Sequence, residues 1–177
     1  METTKWGLDP MHSEISFKVK HMMIANVSGG FTKFNVEATT NGNDFTNAKV
    51  NFTADVNSIT THNEQRDGHL KSPDFFDAAK FPEVRFESTS MTKKNDDEFT
   101  MNGNLTVRDV TKPVALHVNF GGIGKDPYGN TKAGFTIEGK INRKDFGLTW
   151  NAALETGGML VGEDIKIQSE IQLAKQQ

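Results

Sequence analysis

The 177-residue chain has no cysteine, which excludes disulfides, thiolate metal sites and thiol nucleophiles and leaves the redox compartment open. It has no run approaching the roughly 18 consecutive apolar residues of a membrane helix. It has no polybasic run either. Lys and Arg number 20 against 23 Asp and Glu, a formal net charge of −3, so nucleic acid is an unlikely partner. No G-x-S-x-G elbow or Walker loop occurs. The stretch GGIGKDPYG, residues 121–129, lacks the Ser/Thr of a phosphate loop, precedes a strand pattern and reads as a hairpin connection. The N-terminus METTKWGLDP lacks the apolar core of a signal peptide, so a cytoplasmic protein is expected, or a periplasmic one if a leader has been trimmed.

Polar aromatics are also scarce: 1 Tyr and 2 Trp stand against 13 Phe. Phenylalanine has no polar handle and suits a dry interior or an apolar ligand. Its placement follows a period of two, which separates a buried strand face from a wet one. The alternation runs through Ile15-Phe17-Val19, Phe34-Val36-Ala38, Val50-Phe52-Ala54-Val56 and Val84-Phe86. It continues through Phe99-Met101-Leu105-Val107, Val114-Leu116-Val118-Phe120, Ala133-Phe135-Ile137-Ile141 and Ile165-Ile167-Ile171-Leu173. Eight long strands with one apolar face each need a closed sheet or two packed sheets. Their length and up-and-down order favour a barrel, in a single domain spanning 1–177.

One segment breaks the pattern. Within residues 59–83, Thr61 and Glu64 have capping-box spacing, which predicts a short helix near residues 61–78 that covers one opening or packs outside. His62, Asp67 and His69 match no zinc spacing and read as helix surface. His12-Ser13 reads as a turn, and Asn26, Asn51 and Asn104 begin Asn-x-Ser/Thr sites. The inward phase is interrupted by Gly103, Gly139, Ser88 and Ser169, which either bend the sheet or leave room for a tunnel. Arg66 and Arg143 sit among residues that read as buried. Each needs a carboxylate such as Asp67 or Asp145, carbonyls, or an anionic ligand. His21 falls on the buried face at the end of the row Ile15, Phe17, Val19, where it also needs a partner.

These stretches together resemble the bacterial YceI-like family: WGLDPMHSEISFKVKHMM, VSGGFTKF, NSITTHNEQRDGHLKSPDFFDAAKFP, GNLTVRDVTKPV, NRKDFGLTW and VGEDIKI, in order from Trp6 to about Leu173. The resemblance implies an all-β fold, an eight-stranded antiparallel lipocalin-like barrel with an apolar tunnel for isoprenoid lipids such as polyprenyl phosphates or quinones. It implies no cofactor and no established enzymatic activity, and it allows a homodimer.

On that reading the lipid tail is lined by Phe17, Val19, Phe34, Phe52, Phe86, Met101, Leu116, Phe135 and Ile137. The head group meets His21, with Arg143, Trp150 and Asn151 as a second set. A neutral imidazole donates to a quinone carbonyl, and a protonated one pairs with phosphate. A structural His21, bonded to a backbone carbonyl or loop carboxylate, is the alternative. The competing functions are a small-molecule enzyme using His21 and Arg143, and an interaction module with a solid core.

Overall fold

A computed structural model describes residues 3–154 and 159–176. Its strands are β1 (Thr3–Leu8), β2 (Glu14–His21), β3 (Ala25–Phe31), β4 (Phe34–Asn41), β5 (Asp44–Asp55), β6 (Ile59–Thr60), β7 (Glu83–Lys93), β8 (Glu98–Val107), β9 (Val110–Lys125), β10 (Thr131–Asn142) and β11 (Val161–Lys175). All pairings between them are antiparallel, and β1 pairs with both β4 and β11. The ring β1-β4-β5-β7-β8-β9-β10-β11 therefore closes on itself as an eight-stranded barrel. Beside it, β2 continues the line of β1 along β11, with Lys18 opposite Lys166, and carries β3 and the short β6.

The bend between β1 and β2 is written in Asp9-Pro10. The Asp9 carboxylate accepts the Met11 amide at 3.2 Å, and Pro10 opens a single 3₁₀ turn, Pro10–His12. Alternation reveals the long strands but misses three elements. β1 has Trp6 as its only buried apolar residue, β3 has no fully buried residue, and β6 is two residues long. The helix is also shorter than expected. α1 spans Glu64–Leu70, and Asn63, not Thr61, caps it by accepting the Arg66 amide at 3.0 Å.

One end of the barrel is filled. Phe45 stands 5.1 Å from Trp6, 4.8 Å from Phe135 and 5.6 Å from Phe120 between ring centroids, and Phe99 joins at 6.5 Å from Phe120. Such tilted and edge contacts add about 0.5–1.5 kcal/mol per pair beyond the area buried. The Trp6 indole donates to Thr40 at 2.8 Å, and that hydroxyl donates on to the Gly42 carbonyl at 2.7 Å, so the one polar atom in the cluster is satisfied.

The inward glycines are filled positions. A Cβ at Gly103 would overlap the Phe86 ring and the Glu87 carbonyl, and one at Gly139 would overlap Leu116. Neighbouring strands thus lay their side chains over these glycines. Ser88 sits at a bulge, where its hydroxyl accepts the Val50 amide at 2.8 Å. Ser169 faces the interior.

Candidate functional site

At the other end, where β2, β8, β10 and the beginning of β11 meet, the barrel encloses a cavity of about 490 Å³. Its walls are almost wholly apolar, which follows from the alternation: inward Val, Leu, Ile and Met are too short to meet across a barrel of this girth. Helix α1, Phe75-Phe76 and residues 146–150 overlie it. His69, Phe75 and Trp150 form a ring triad there, with centroids 5.1, 4.6 and 5.5 Å apart.

Of the nine residues expected to line a tail, Phe17, Val19, Phe52, Phe86, Met101, Leu116 and Ile137 border the cavity. Phe34 and Phe135 do not. Phe34 is partly buried at the edge of β4, its ring 6.4 Å from Phe52, and Phe135 belongs to the aromatic plug. Strand phase tells inside from outside but not depth along the barrel axis, and depth separates these two from the rest. The sequence reading also passed over Phe31 and Leu160, both of which border the cavity. Phe75 and Phe76, between α1 and β7, border it too.

The polar residues divide into two sets. Arg143 lies on the border and is 2% exposed, but its guanidinium is already engaged. Nε donates to the Gly162 carbonyl at 2.8 Å, Nη1 to Leu148 at 2.6 Å and Trp150 at 2.9 Å, and Nη2 to Val161 at 3.3 Å. The turn Arg143–Phe146 ends on Gly147, whose left-handed φ of 77° sends the chain back so that these carbonyls converge. Burial pushes the guanidinium below its usual range, while nearby Glu163 acts the other way. Arginine nevertheless stays charged in proteins.

Asn151 does not reach the cavity. Its Oδ1 accepts the Ala152 and Val161 amides at 2.9 Å each, and its Nδ2 donates to the Val161 carbonyl at 2.7 Å. Arg143 and Asn151 together sew residues 148–152 to 160–162. Neither expected carboxylate pairing forms: Arg143 uses carbonyls, and Arg66 donates from Nε and Nη2 to the hydroxyl and carbonyl of Thr61, at 2.8 and 2.9 Å. Asp67 instead accepts the Thr61 amide at 2.8 Å.

The second set stands at the mouth with free capacity. His21, half-buried, borders the cavity, and its ring has no hydrogen-bond partner among the described residues. Gln65, Arg66 and Lys20 border the same opening. His69 also borders it, with Nε2 2.9 Å from the Asp74 carboxylate. Among the described residues no group of three His, Asp or Glu is placed to hold a metal, and no helix is long and apolar enough to cross a membrane.

The YceI-like domain family matches residues 6–173. A UPF0312 protein of Staphylococcus aureus is 37% identical over 172 residues, covering 97% of this chain and 98% of that protein. A Campylobacter jejuni YceI protein of known structure is 30% identical, with a TM-score of 0.77 over 89% of this chain and 90% of its own. BcnA of Burkholderia cenocepacia superposes with a TM-score of 0.80 at 20% identity, over 93% of this chain and 98% of that one. A polyisoprenoid binding domain from Saccharophagus degradans gives 0.71 at 13%, over 96% and 97%. The last two show a shared fold.

Proposed function

This chain belongs to the YceI-like family, and we propose that it binds an isoprenoid lipid, tail inward, for carriage, storage or sequestration. The observation that carries the reading is the cavity itself: walls almost wholly apolar, one filled end, and charged side chains gathered at the mouth. That is the form of a site for an amphiphile. The polyisoprenoid binding of the Saccharophagus domain supports the choice of tail. Polyprenyl phosphate and isoprenoid quinone both match a mouth that offers His21 and the unshared Nη1 of Arg66.

Size bounds the tail. An engineered apolar cavity of about 150 Å³ takes one benzene, so about 490 Å³ accommodates on the order of twenty carbons. Affinity does not scale with every methylene: at about 0.8 kcal/mol each, a roughly 40-carbon chain would exceed 30 kcal/mol, beyond any noncovalent complex. The lipid's alternative is a membrane, which is also dry, so transfer is close to neutral per methylene. Length and head group are left to set selectivity.

We read the protein as a binder rather than an enzyme. An enzymatic use of Arg143 would need donors that it already gives to four carbonyls. Native mass spectrometry of protein purified without detergent, with organic extraction of the bound material, tests the proposal. A retained prenyl lipid is expected. A bare mass, with added prenyl lipids failing to bind, would overturn it.

A further inference from the structure

We propose that the β2–β3 hairpin tip, Met22-Met23-Ile24, docks the open end of the barrel on an anionic lipid bilayer. The three side chains are 45%, 53% and 84% exposed, while among the described residues the hairpin tips Asn41-Gly42-Asn43, Lys94-Asn95-Asp96-Asp97 and Arg108-Asp109 are polar, and Asp126 to Asn130 presents a single amphipathic ring, Tyr128, 89% exposed. Met22 and Met23 both have left-handed backbones, φ 56° and 63°, and the Ile24 amide returns to the His21 carbonyl at 3.3 Å. That is the pattern of a type I′ turn, in which Asn-Gly is preferred. The turn's backbone thus disfavours methionine, and neither side chain is spent on the core.

Charge on the adjoining outer face selects the partner. Lys18 pairs directly with Lys166, and Lys166 with Lys140, so three like charges lie in one row across β2, β11 and β10, with Lys20 nearer the tip. Like charges directly opposite each other disfavour a sheet. Lys140 reaches Asp164 at 3.3 Å, but Lys18, Lys20 and Lys166 have no carboxylate partner among the described residues. The whole chain is net negative, so this basic row is local.

An anionic bilayer answers both features. Methionine and isoleucine enter the interface while lysines meet lipid phosphates, and two weak signals together give reversible attachment. A second copy fits less well, because a twofold contact through this patch would set the lysine row near its own copy. Docking also brings the mouth to the lipid, since Val19, His21, Val27 and Leu160 next to the tip border the cavity. This goes beyond the lipid-binding reading and does not require it.

Flotation of the full chain with phosphatidylcholine vesicles, with and without phosphatidylglycerol, is the test. Wild type is expected to float only with phosphatidylglycerol and to be released by salt. Met22→Asn with Met23→Gly and Ile24→Ser keeps the turn chemistry, so the thermal midpoint should hold or rise while binding falls at least tenfold. Lys18→Gln with Lys166→Gln should weaken binding at least tenfold, at roughly fivefold per lysine. Docking is overturned if wild type fails to float, if the tip variant binds as well, or if a solution dimer becomes monomeric in the tip variant. Extraction on the same sample keeps the two proposals apart: a chain that carries lipid yet does not float loses only the docking.

Discussion

The two ends of this barrel share seven strands and the same alternating pattern, with β1 at one end and β2 in its line at the other, yet one is solid and the other hollow. At the solid end Trp6, Phe45, Phe120 and Phe135 reach the axis and touch. At the hollow end the inward residues are mostly Val, Leu, Ile and Met, with phenylalanines lying against the wall, and an overlying helix and loop take the place of a plug. Inward side-chain reach, not strand pattern, decides between a core and a container. The solid end should therefore carry stability and the hollow end selectivity.

The sharpest break of that division is a matched pair of truncations. Trp6→Ala removes a 1%-exposed ring and its bond to Thr40, and should cost about 3–5 kcal/mol in urea unfolding. Phe17→Ala removes a half-buried ring that faces the cavity, 5.9 Å from Phe31, and should cost roughly half as much because less area is withdrawn from contact. Equal losses would mean that the hollow end is as closely packed as the plug.

The next effect tests whether the rim of the mouth is held by hydrogen bonds. Arg143→Lys keeps the charge but has no planar fork, and it cannot serve carbonyls of Gly162, Leu148, Trp150 and Val161 together. Leaving one or two of them unpaired should cost about 2 kcal/mol and raise amide exchange across residues 148–154 before it touches the plug. Uniform loosening of both ends would sink the local reading.

Much of this was legible in the sequence. Period-two alternation placed eight long strands, and seven of the nine residues expected along a tail border the cavity, because phase is a local property. What it missed is set by register or by backbone. Gly103 and Gly139 look like gaps along one strand, yet Phe86 and Leu116 from neighbouring strands fill them. For Arg143 a carboxylate, carbonyls and an anionic ligand all stayed open, because backbone carbonyls, its real acceptors, leave no mark in a residue string. The unpartnered ring of His21 was the reverse case: an imidazole in an apolar phase is visible, and the structure sets it at a mouth.

A smaller effect belongs to the solid end and depends on pH. Asp9 is 9% exposed; burial alone would raise its carboxyl, but hydrogen bonds from Lys132 and His12, aided by their charges, hold it below its usual value. A carboxyl lowered in the folded state adds stability above its unfolded value of about 4, and that stability is lost as pH falls further through the lowered one. Asp9→Asn should cost on the order of 1 kcal/mol at neutral pH and flatten the acid side of the stability profile. An unchanged acid slope would assign that slope to Asp44, Asp126 and Glu163, whose carboxyls are also lowered.

The smallest stability effect carries the most about selectivity. The His21 ring is half-buried, borders the cavity and has no described partner, so His21→Leu breaks no internal bond. Its unfolding free energy should stay within about 0.5 kcal/mol of wild type. Head-group preference should move instead, because an imidazole can donate to a quinone carbonyl or, protonated, pair with phosphate, and leucine does neither. The ratio of affinities for an isoprenoid quinone and a polyprenyl phosphate of equal tail length isolates this, since the tail contribution cancels. A ratio that leucine leaves unchanged would take the head-group role from His21 and shift attention to Arg66 across the mouth.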